Sequence, residues 1–366
     1  MPILPFIPRI PRFLALALAA AGCAAPASLP TPQAGGPVTG PGEPRTTVED
    51  VRAQEFALAA DSMEGRYTGT PGMERAARYL AGRFRALGLQ PAGDDGYLQL
   101  LPLAWEEQGG RRIPRLLNGW ADTAGVAAGL RGRGVNVVGV LPGGDPALRG
   151  QVVLIDAHYD HLGTAALGTC DAAGGDSVCN GADDDASGVV AVLEIARELA
   201  RGPAPRRTVV FLLTTGEEVG LLGTRWYIRH PVLPLDSTVA NLEIEMIGRP
   251  DPLAGGAGKA WLTGYTRSTM GEMLAAASIP IVNDPRPAQN FFERSDNIAF
   301  ARLGIPAHTL STFNLHADYH TPDDEAERID YAHMTEVIRA AARAARLLAD
   351  GPAPRWKPGG QPAAGR

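Results

Sequence analysis

Apolar residues recur at helical spacing across residues 47–61 and again across 72–87, where Gly88 supplies a stop. Short strand-like runs follow at 97–103 and 134–140. A different pattern then takes over. Residues 151–157, 207–214 and 239–246 are nearly continuous apolar runs that end in polar residues, and helical periodicity separates them at 187–200 and 218–230. Shorter strands are expected at 279–283 and 306–310, with helices at 267–277 and 331–349. Strands without polar alternation, spaced by amphipathic helices, predict an α/β fold with a mostly parallel twisted sheet sandwiched by helices. No repeat of solenoid length interrupts this order.

The ends of the chain differ in kind. Arg9 and Arg12 precede the apolar run 13–21, which closes on Gly22-Cys23. A basic segment, a short apolar stretch and small residues before a cleavage point predict an export signal over 1–23. The run Ala20-Ala21-Gly22-Cys23 resembles a bacterial lipobox and predicts a lipid anchor on Cys23. The expected location is therefore periplasmic or anchored at the outer membrane, with a secreted form as the rival. Residues 24–45 are rich in Pro, Gly, Ala and Thr and predict a flexible tether; 351–366 predict a disordered tail. That leaves 46–350 as one domain large enough to bury a sizeable core. With 34 basic against 40 acidic side chains and no basic run interleaved with aromatics, nothing favours a nucleic-acid partner. Export also changes the reading of Cys170 and Cys179: nine residues apart, they predict a loop-closing disulfide rather than a thiolate zinc site.

Candidate chemistry gathers where the central strands end. The first apolar run leads into His158-Tyr159-Asp160-His161, an imidazole with a carboxylate two residues on, which suits a metal ligand and its orienting acid. Next comes Gly181-Ala-Asp183-Asp184-Asp185-Ala-Ser187-Gly188 at a helix start. Three adjacent carboxylates repel one another unless a cation neutralises them. The same residues fit part of a calcium-binding loop, but no helix enters it. The next run ends in Glu217-Glu218, a pairing that allows one acid to bind metal and its neighbour to move a proton. Glu243 and Glu245 share a face of the following strand, and His316 and His320 lie in a late loop broken by Pro322. Oxygen and nitrogen donors without thiolates suit zinc, and adjacent carboxylates suit a bridged pair of ions.

With these motifs the chain resembles the M28 family of zinc exopeptidases over residues 48–349. The resemblance rests on His158-x-Asp160, Gly-Ala-Asp-Asp-Asp-Ala-Ser-Gly, Glu217-Glu218-x-Gly and Tyr319-His320-Thr-Pro-x-Asp, with Glu64-Gly-Arg-Tyr-Thr-Gly-Thr-Pro-Gly72 similar to the family's opening loop. It implies two zinc ions held by His158, Asp184, Glu218, Glu245 and His320, with Asp184 bridging and Asp160 behind His158. Glu217 takes the place of the general base. Glu245 stands where the family commonly has Asp. Phe292 falls where some members carry a Tyr that steadies the oxyanion, so Tyr319, His316 or zinc inherits that task. His161 is expected to line the site rather than bind metal.

The implied reaction is peptide hydrolysis by a metal-activated water with Glu217 as base, most simply release of an amino-terminal residue from a peptide substrate. The same framework also serves carboxypeptidases and dipeptidases. Two rivals stand beside it: a single-zinc glutaminyl cyclase on the same fold, and a non-catalytic metal-binding lipoprotein. Glu293, Arg294 and Arg286 fall near the expected rim of the site and suit either a free amine or a free carboxylate.

Overall fold

Strands that lack polar alternation need cover on both faces, and the chain supplies it. In the computed structural model, which describes residues 46–364, β1 (Leu98–Gln108), β2 (Arg111–Leu116) and β3 (Arg131–Leu141) form an antiparallel ladder. Then follow β4 (Val152–His158), β5 (Thr208–Thr214), β6 (Thr238–Ile244), β7 (Ala260–Leu262), β8 (Ile281–Asn283) and β9 (Ala307–Ser311). They join one sheet in the order β8-β7-β9-β6-β4-β5-β3-β1-β2, with an additional short pairing of residues 90–91 on β3. The core of the sheet, β9-β6-β4-β5, is parallel. The expected signal peptide and tether, 1–45, lie outside the described residues.

All seven residues of β4 and of β5 are buried. Their side chains still sort by the strand's period of two. Val153, Ile155, Val209, Phe211 and Leu213 pack with helices α1 (Val48–Leu58), α2 (Pro71–Ala86), α3 (Ser187–Arg201) and α7 (Tyr331–Asp350). Leu154, Val210 and Leu212 face the other layer, which contains α4 (Leu222–Arg229) and α6 (Asn297–Arg302). A last helix, α5 (Met270–Ala276), covers the β7–β8 edge.

Three expectations change. The helix expected over 218–230 begins only at Leu222, because Gly220 and Leu221 both take positive φ and keep 217–221 in a turn. The strand expected to reach Met246 ends at Ile244, which puts Glu245 past the last paired residue. The tail expected to be disordered is held through residue 364: Trp356 donates to the Gly304 carbonyl at 2.9 Å and packs on Phe292 and His308, and the Gly360 carbonyl accepts from Arg267. One Trp in a Pro/Gly-rich segment was enough to give it a place to dock. Cys170 and Cys179 are joined as a disulfide. Among the described residues no helix is long and apolar enough to cross a membrane.

His308, fully buried in β9, lies 2.7 Å from the Thr263 carbonyl through Nδ1 and 2.7 Å from Ser268 Oγ through Nε2. A neutral ring satisfies both contacts, and burial holds its pKa down to about 4. The folded protein therefore refuses a proton that the unfolded chain accepts below about pH 6.5. This part of the stability is complete above that pH and is lost as pH falls toward 4, by roughly 3 kcal/mol. The urea midpoint of His308→Gln is expected to fall less steeply between pH 6.5 and 4.5 than that of the wild type. Parallel slopes would show that His308 does not contribute.

Candidate metal centre and substrate cleft

Parallel strands place their carboxyl ends on one edge, and the chemically active loops collect there. His158 is the last residue of β4, Glu217 and Glu218 follow β5, and Glu245 follows β6. Asp184 precedes α3, and His320 lies in the loop after β9. Two glycines permit the close approach of the Asp183–Asp185 turn. A Cβ on Gly188 would lie 2.2 Å from the Ile244 carbonyl, and one on Gly181, at φ +57°, would strike Asp184 and His161. The Asp184–Asp185 peptide bond is cis.

The three adjacent aspartates have separate tasks. Asp185 Oδ1 accepts from the amides of Gly188 at 3.0 Å and Met246 at 2.9 Å, tying the start of α3 to the end of β6. Asp183 Oδ1 accepts from Gly248 N at 2.6 Å, and its Oδ2 lies 3.0 Å from His316 Nε2. With both outer carboxylates committed to the protein, the arrangement is not a calcium loop. Only Asp184 turns to the cleft. Its Oδ1 is 3.2 Å from His158 Nε2; its Oδ2 is 3.1 Å from His320 Nε2 and 3.8 Å from His161 Nδ1. Glu245 Oε1 is 3.9 Å from His158 Nε2, and Glu218 lies 3.3 Å from His320 and 2.8 Å from His161.

Two groups of donors follow, each within 4.8 Å: His158, Asp184 and Glu245, and His161, Asp184 and Glu218. His320 Nε2 lies against the second group, 3.1 Å from Asp184 Oδ2 and 3.3 Å from Glu218 Oε2. His158 Nε2, Glu218 Oε1, His320 Nε2 and both nitrogens of His161 are buried and, although acids and imidazoles lie close together here, make no aligned hydrogen bond. Buried polar atoms are rarely left so. Burial opposes charge on His320, yet Asp184 and Glu218 outweigh it and push its pKa up to about 10. Burial likewise opposes the Asp184 carboxylate, while His158 and His320 hold it well below the usual range. The cluster demands positive charge, and imidazole nitrogens with carboxylate oxygens are a donor set that fits zinc.

A second layer of residues fixes the first. His158 Nδ1 lies 3.2 Å from the Asp160 backbone carbonyl, closer than the 3.8 Å to the Asp160 carboxylate, so the expected carboxylate–imidazole pairing is made through the main chain. The Asp160 carboxylate instead accepts from Glu217 N at 3.2 Å and from Thr68 Oγ1 at 3.2 Å, which orients Glu217. Burial, reinforced by Glu218 and Glu245, pushes Glu217 well above the ordinary carboxylate range. Glu243 does not face a metal: it accepts from Ser295 Oγ, the amides of Asp296 and Asn297, and Thr309 Oγ1.

Sequence reasoning gave no role to Asp324 or Arg66, and it set His161 on the lining of the site. His161 stands in the second donor group. Asp324 accepts from the amides of Asp183 and Asp184, pinning the residue common to both donor groups. Arg66, fully buried, donates to the carbonyls of Leu58, Tyr159, Asn180 and Gly181 and so locks the loop after β4 to the segment before α3. The signal for Arg66 was its place in the Glu64–Gly72 motif, and for Asp324 the final acid of the late motif.

The cleft beside the donors is walled by Trp261, Phe291, Phe313, Met246 and Tyr319, with Glu217 and Arg294 facing it. Two expected wall residues are elsewhere. Phe292 turns into the core, with Arg267 over its ring and His308 and Trp356 alongside, and its neighbour Phe291 takes the wall position. His316 is spent on Asp183.

Residues 136–345 match the model of peptidase family M28. The chain is 31% identical over 222 residues to the vacuolar membrane protease of Aspergillus clavatus, a match that covers 57% of this chain and 20% of that protein; it spans about a fifth of the length of that relative. Among solved structures it superposes on a zinc aminopeptidase from Bacillus subtilis with a TM-score of 0.57 at 15% identity, over 84% of this chain and 95% of that one. It superposes on the glutaminyl cyclase of Porphyromonas gingivalis with a TM-score of 0.54 at 16% identity, over 82% and 97%. At such identities the likeness shows the fold.

Proposed function

This chain belongs to peptidase family M28, and from that premise we propose that it is an exported exopeptidase that holds two zinc ions and releases amino-terminal residues from peptides. One observation carries the reading: the two oxygens of Asp184 face different partners, Oδ1 toward His158 and Oδ2 toward His320. A carboxylate split in this way suits a bridge. One ion would be held by His158, Glu245 and Asp184, the other by Asp184, Glu218 and His320, with His161 also in reach. Zinc bound there supplies Lewis acidity, which makes water nucleophilic near neutral pH and polarises the scissile carbonyl.

The protein's own groups do the rest. Glu217 lines the cleft, is held through its amide by Asp160, and takes the proton of the attacking water. It then returns that proton to the leaving amine. With Phe292 in the core and His316 bound to Asp183, Tyr319 is the phenol on the cleft wall that donates to the developing oxyanion. The acidic cleft suits an ammonium group, which agrees with the aminopeptidase of the same fold. The Cys170–Cys179 disulfide supports an oxidising, exported location.

The purified chain with zinc is expected to hydrolyse leucine p-nitroanilide about 100-fold faster than its N-acetyl form, the worth of a charge-assisted contact to the amine. A chelator should stop the reaction and added zinc restore it. Equal rates on both would overturn the aminopeptidase polarity. Conversion of an amino-terminal Gln peptide to its cyclic product, without hydrolysis of the leucine substrate, would favour the cyclase reading of the fold.

A further inference from the structure

We infer that Arg294 is a specificity-determining residue that selects substrates carrying a carboxylate close to the scissile bond. The inference rests on the exopeptidase reading above and deepens it. Three charged residues stood near the expected rim, and the structure separates them. Arg286 is spent on Asp251, with its Nη2 2.8 Å from Oδ1 and its Nη1 bonded to the other oxygen. Glu293 and Arg294 are both exposed, but Glu293 lies outside the cleft wall. Arg294 lines the cleft with Glu217 and Glu218, and among the described residues no carboxylate pairs with it.

An unpaired guanidinium on a cleft wall is useful only if it is held in place. Its charge lies 5.1 Å from the Phe291 ring centroid, and Arg294 N donates to the Phe291 carbonyl at 3.1 Å. The next residue, Ser295, donates through Oγ to the buried Glu243 at 2.6 Å, which anchors the loop to the sheet. The guanidinium over the Phe291 ring offers a fork of N–H donors that matches a carboxylate better than any other group a peptide carries. The surrounding wall of Trp261, Phe291 and Phe313 accepts the apolar body of such a substrate. The carboxylate comes either from the C-terminus of a very short peptide or from an Asp or Glu side chain.

Matched pairs separate these sources: Leu-Leu against Leu-Leu-amide, and glutamyl against glutaminyl p-nitroanilide, assayed with the zinc-loaded chain, Arg294→Gln and Arg294→Lys. In one pair the wild type should favour the charged member by about tenfold in kcat/KM. In Arg294→Gln that ratio should collapse to about one, chiefly through KM, and Arg294→Lys should restore part of it. No preference in either pair, or a preference that survives in Arg294→Gln, overturns the inference while hydrolysis of the neutral members leaves the exopeptidase reading standing. No hydrolysis of any member after zinc is restored removes both.

Discussion

Glu217→Gln is expected to lower kcat by about 10³-fold while metal content stays that of the wild type. The carboxylate lines the cleft, and its backbone is fixed by Asp160, which itself accepts from Thr68. Gln keeps the size and the amide contact but can neither take a proton from water nor return one to the amine. The cost should appear in kcat rather than KM, because the lost contact belongs to the transition state. Steady-state kinetics on an unblocked aminoacyl substrate, with metal analysis of the same sample, reads both quantities. Retained turnover with intact metal would remove Glu217 from the reaction.

Asp184→Asn is expected to abolish most of the stabilisation that zinc gives the folded chain. Asp184 belongs to both donor groups and its two oxygens face different imidazoles, so one substitution weakens both sites. A ligand at about 100 times its Kd stabilises by about 2.7 kcal/mol, which for a domain of this size raises Tm by roughly 4 °C. Thermal unfolding of the metal-stripped chain, with and without added zinc, measures it. The wild type should show the full rise and Asp184→Asn less than a third of it. An equal rise in the two proteins would place zinc somewhere else.

The parallel centre of the sheet was legible because its strands are apolar on both faces and end abruptly in acids and imidazoles. Period and position there point to one answer. The antiparallel ladder β1–β2–β3 was only partly visible: β2 reads Arg-Arg-Ile-Pro-Arg-Leu, with no strand periodicity to find. β7 is three residues long and α6 six, too short for a period to show. In the site, the residues quoted from motifs converge, since His158, Glu217, Glu218 and Glu245 stand at the ends of parallel strands, Asp184 at the start of a helix and His320 in the loop after β9. The failures concern direction rather than position. A sequence does not show that Phe291 rather than Phe292 faces the cleft, because the loop before α6 has no fixed alternation. Nor does it show that His316 turns to Asp183, or that the Asp160 carboxylate serves Glu217 N more than the His158 ring. Those choices are made by contacts between separate segments: Phe292 with Arg267 and His308, His316 with Asp183, and Asp160 with Glu217.

In the proposed centre, Asp184 joins two zinc sites into one. The most direct test is elemental analysis of the purified, zinc-equilibrated chain after removal of loosely bound metal. About two zinc ions per chain in the wild type, falling well below one in Asp184→Asn, is the predicted result. One zinc or none in the wild type, or an unchanged content in Asp184→Asn, would contradict it.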